Sequence, residues 1–78
     1  MTTEELTASR AKAYAFAEEH LSECASELLE WHDTGELVGG RVKVLARLCA
    51  PWSTQAQALH MAERLVNHTA LRKVAGLL

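Results

Sequence analysis

At 78 residues, 49% of them apolar and with a net charge of −2, the chain has room for one domain, residues 1–78, and too ordinary a composition for disorder. No apolar run approaches the ~20 residues that span a bilayer, and the opening Met1-Thr2-Thr3-Glu4-Glu5 is acidic where a secretion signal is basic. With two cysteines and no such signal, the expectation is a free-standing cytoplasmic protein with reduced thiols.

The first predicted element is a long helix. Thr2 and Glu5 have the spacing of a capping box, in which hydroxyl and carboxylate satisfy free backbone N–H groups. Alanines between Ala8 and Ala17 favour helix, and no Gly or Pro intervenes before Gly35, which suits a left-handed stop. Tyr14, Ala17, Leu21, Cys24, Leu28 and Trp31 follow spacings of three and four, so they form one apolar seam. A helix of about 30 residues is about 45 Å long. So small a chain can barely cover such a rod, which predicts a homodimer with the long helices at its interface.

Gly35 to Gly40 reads as a loop. Val42, Leu45, Ala46 and Cys49 then make a short helix that ends before Pro51. The competing reading is a hairpin around Gly39-Gly40, between Leu37-Val38 and Arg41-Val42. It is the weaker one, because a lone two-stranded hairpin is marginal in water. Ser53 or Thr54 is expected to cap a third helix through Val66, with Ala56, Leu59, either Ala62 or Glu63, and Val66 inward and Leu65 alongside. Thr69 either starts a fourth short helix or lies within a continuation of the third. The predicted fold is thus all-α, one long N-terminal helix with two or three short helices packed back on it. No internal repeat or low-complexity stretch is present.

Chemistry-bearing motifs are scarce. There is no phosphate-binding glycine loop, no HExxH and no nucleophile motif, so neither an enzyme nor a cofactor is expected. His20 and Cys24 stand four apart on one helix face and can share a metal, but they are only two ligands. Cys49, His60 and His68 complete no zinc spacing. Both cysteines also fall on apolar seams, where a thiol acts as a small hydrophobe. The expectation is therefore no metal.

The charge is unevenly spread. Residues 1–36 hold nine acids and two bases, a net −7, while residues 37–78 hold six bases and one acid, a net +5. Either the halves pack together and neutralise each other, or each makes a field of its own. Glu19, Glu23, Glu27 and Glu30 lie on one side of the first helix, away from the seam, and Phe16 falls at the edge of that side. Such a row of carboxylates suits a basic groove on a protein partner, including one built for nucleic acid, with Phe16 as an apolar anchor. Free-standing helical proteins of this size without enzyme motifs include phage- and plasmid-encoded inhibitors and regulators, such as anti-CRISPR proteins and antitoxins. A non-catalytic inhibitor or regulator of that kind is the expected class, on size and architecture alone.

The alternative is a helix-turn-helix regulator that binds DNA. Arg41 to Cys49, the turn Ala50-Pro51-Trp52-Ser53, and the helix after it have suitable lengths. On that reading Ser53, Thr54, Gln55 and Gln57 open the recognition helix, and His60 and Arg64 extend the contact. Against it, the segment carries few cations, and a plain antiparallel helix pair has the same sequence requirements.

Overall fold

A computed structural model describes residues 2–76, except for the side chain of Gln55. It holds four α-helices: α1 (Thr3–Glu19), α2 (Leu21–Thr34), α3 (Arg41–Cys49) and α4 (Ala58–Val74). Two single 3-10 turns, Ala50–Trp52 and Gln55–Gln57, join α3 to α4. There is no strand among the described residues, so the Gly39-Gly40 hairpin does not form.

The predicted single long helix is corrected to two. At His20 the backbone leaves the helical region, with φ −114° and ψ 31°. Hydrogen bonds flank the bend on both sides: the His20 N–H donates to the Phe16 carbonyl and the Cys24 N–H to the His20 carbonyl, both at 2.9 Å. No Gly or Pro marks the site; the cause is tertiary. A straight helix from Thr3 to Thr34 would run about 48 Å, yet the molecule measures 38 × 32 × 15 Å. Bending at His20 lets α1 and α2 each pack on both α3 and α4. The seam expected to pair two chains is thereby covered within one: Ala17, Cys24 and Leu28 are buried, and Tyr14, Leu21 and Trp31 pack half-buried against them.

The other ends follow local chemistry. The Thr2 hydroxyl accepts the Glu5 N–H at 3.2 Å and caps α1. Gly35 closes α2 in the left-handed region at φ 80°, its N–H on the Trp31 carbonyl. α3 stops where Pro51 enters the 3-10 turn, as the sequence predicts. The capping role given to Ser53 or Thr54 is corrected. α4 starts only at Ala58, without a side-chain cap, and the Ser53 hydroxyl donates backward to the Cys49 carbonyl at 3.0 Å. Thr69 lies inside α4, buried, its hydroxyl on the Leu65 carbonyl at 2.8 Å.

Much of the core is small. Ala13 and Ala17 from α1 and Ala58 and Ala62 from α4 are buried, with Val42, Leu45 and Val66 the bulkiest wholly enclosed apolar side chains. Alanines at contact positions let helices approach closely, at the lower end of the usual 8–10 Å spacing range. Among the described residues no helix is long and apolar enough to cross a membrane.

Candidate functional site

The carboxylates of α1 and α2 are the most pronounced chemical feature of the surface. The bend at His20 puts Glu19 at the end of α1 and Glu23, Glu27 and Glu30 along α2. Three of these four are exposed; Glu27 is half-buried.

Glu27 belongs to the fold. Its two carboxylate oxygens accept the Arg41 N–H at 3.2 Å and the Val42 N–H at 3.0 Å. These are free donors of the first turn of α3, where the helix dipole also favours a negative charge. Gly40, at the N-cap position of α3, has no side chain to do this. Gly39 makes room: it sits at φ 99°, and a Cβ built there would stand 2.8 Å from the Glu27 carboxyl carbon. Glu27 is thus a tertiary cap, with both carboxylate oxygens engaged by α3.

Phe16 is also set differently from the expectation. It is half-buried against the core rather than free at the edge of the acidic side. Its ring lies 4.6 Å from that of His20, tilted by 48°. His20 Nδ1 is 3.3 Å from a Glu23 oxygen, and its Nε2 is 3.9 Å from Glu19. Phe16 and His20 therefore buttress the bend beneath the carboxylates.

What remains is a face of Glu19, Glu23 and Glu30. Among the described residues no Lys or Arg lies within 4.0 Å of any carboxylate; the close contacts of carboxylates are with the imidazoles of His20 and His32. The acidic and basic halves thus do not neutralise each other through direct lysine or arginine contacts. Glu19 is also placed against its helix. The last turn of α1 carries no base, although the dipole there favours a cation.

The residues of the helix-turn-helix reading are dispersed. Ser53 is half-buried and bonded to Cys49, Thr54 lies between the two 3-10 turns, and Gln57 lies in the second. The Gln55 side chain lies outside the described residues. His60 and Arg64 are exposed on α4, one turn apart. The polar residues meant to open a recognition helix therefore precede α4 rather than begin it.

Cys24 and Cys49 are wholly buried in the core. Burial pushes both thiols up to about 11, with Glu27 and Glu23 adding to the effect at Cys24. Among the described residues no three His, Cys, Asp or Glu side chains cluster in a way that could hold a metal.

Sequence reasoning missed a second surface. Arg10 and Tyr14 stand four apart on α1, and Arg64, His68 and Leu71 follow spacings of four and three on α4. The two stripes line one open groove with Trp52. Their spacing was legible; that they face each other depends on how α1 crosses α4. The chain matches no family model, and neither a curated protein nor a solved structure gives a significant match to it.

Proposed function

We propose that this chain is a non-catalytic binding module that docks on a basic surface of a protein partner through Glu19, Glu23 and Glu30, as an inhibitor or regulator. The observation that carries the reading is the set of exposed carboxylates on α1 and α2 with no lysine or arginine against them. Charges kept against local preference are expected at functional surfaces. Their long-range attraction steers a basic partner and speeds association. An inhibitor encoded by a mobile element, occupying a basic groove built for nucleic acid, is one form this function takes, on size and surface charge.

The DNA-binding reading draws less support. A helix-turn-helix joins its helices by a turn of about three or four residues. Here the 3-10 turns Ala50–Trp52 and Gln55–Gln57 extend both helices toward Ser53 and Thr54, so Gln55 and Gln57 lie in a 3-10 turn and not in the first turn of α4.

The test is a nuclease-treated pull-down from host lysate, comparing the wild type with Glu19→Lys/Glu23→Lys/Glu30→Lys. A protein retained by the wild type and lost with the variant, more weakly held as salt rises, is the expected result. A protein retained equally by both, or capture of nucleic acid alone before nuclease, contradicts the proposal. Phe16→Ala is a poor probe. Truncating a half-buried ring costs about 2 kcal/mol of stability, below the 3–5 of a fully buried one.

A further inference from the structure

We propose that the groove between α1 and α4 is a second docking site, for a protein segment that carries carboxylates beside apolar side chains. The groove has an open volume of about 530 Å³. Arg10 and Tyr14 form one wall, Arg64, His68 and Leu71 the other, and Trp52 from the 3-10 turn after α3 also lines it. Tyr14 and His68 meet edge to face across it, with ring centroids 6.3 Å apart and planes at 71°.

Its charge is of one sign. No carboxylate lines the groove, and neither guanidinium has a carboxylate within 4.0 Å. Arginine presents a rigid fork of donors that matches a carboxylate bidentately. Beside these cations the groove is apolar. Leu71 is 69% exposed, and Met61, whose flexible thioether adapts to varied partners, contributes to the same wall. A segment with apolar side chains flanked by acids satisfies both features. A shallow track between two helices is also a common seat for an amphipathic segment.

Single-stranded nucleic acid fits less well. Its binding needs a row of cations that follows the backbone as well as aromatic faces. This groove offers the rings of Tyr14, Trp52 and His68 but only two cations, too few for a track along a phosphate backbone. The site is distinct from the acidic face. On α1 the buried stripe of Ala13 and Ala17 separates Arg10 and Tyr14 from Phe16 and Glu19 on the opposite flank. The two proposals can therefore fail independently.

The test is a nuclear magnetic resonance titration of the labelled protein with a short synthetic peptide of leucine and glutamate at helical spacing. The expected result is a shift of the Trp52 indole N–H and of the groove amides on α1 and α4, with the Trp31 indole unmoved. Arg10→Glu/Arg64→Glu should weaken binding about tenfold or more, as for loss of hydrogen bonds to charged groups. If that variant fails to keep its helical circular dichroism, Arg10→Gln/Arg64→Gln makes the same comparison. Glu19→Lys/Glu23→Lys/Glu30→Lys should leave this binding unchanged. A lysine version of the peptide should leave the groove resonances in place. Absence of groove shifts with the glutamate peptide, equal affinity for the arginine variants, or shifts produced instead by oligothymidylate would overturn the proposal.

Discussion

Cys24 and Cys49 carry the clearest consequence of burial for single residues. An unfolded thiol ionises near 9.0, whereas in the fold both are pushed up to about 11. Between those values the unfolded chain has released protons that the folded chain retains. Stability is therefore complete below about pH 9 and declines as pH rises toward 11. Melting curves across that window should show the decline, and Cys24→Ala/Cys49→Ala should show a shallower one despite a lower starting stability. An equal slope in both proteins would mean that other groups govern the alkaline limb. The inward place of both cysteines was legible, since each falls on an apolar seam. The place of Phe16 was not. A helical wheel puts it off the seam, but a wheel drawn for one straight helix does not survive the bend at His20. There Phe16 becomes part of the packing that supports the turn.

At the scale of elements, local signals explain most ends and tertiary contacts explain the rest. Thr2, Gly35 and Pro51 mark their boundaries because capping, a left-handed residue and a missing N–H act within a turn or two. The bend at His20 has no such marker. It follows from the need of both halves to reach α3 and α4, which only the folded chain expresses. The start of α3 is similar. Gly39-Gly40 reads as a turn, but its cap comes from Glu27 on another helix. Loss of a cap costs about 0.5–2 kcal/mol. Glu27→Ala should therefore lower unfolding free energy by about 1–2 kcal/mol in urea titrations. Gly39→Ala should cost about 2 kcal/mol, through backbone strain and displacement of that carboxylate. In the double variant the two losses should sum to less than their total, because they share the cap. Full additivity would show that Gly39→Ala does not act through the Glu27 carboxylate.

At the scale of the whole molecule, two oppositely charged halves are folded together without a lysine or arginine ion pair among the described residues. The imbalance was plain in the sequence, because charge is counted without a fold. Which acids serve the fold was not: Glu27 differs from Glu23 and Glu30 only in what lies opposite it. On the function proposed here, the remaining carboxylates serve a partner rather than the fold. The most direct measurement is the unfolding free energy of Glu19→Lys/Glu30→Lys, which leaves Glu27 and the His20–Glu23 contact in place. Both changes relieve repulsion within a −7 half, which outweighs the single 3.9 Å Glu19–His20 contact that is given up. The predicted result is stability unchanged or raised by up to about 1 kcal/mol. A loss of about 1 kcal/mol or more would contradict it, because the carboxylates would then be holding the fold together.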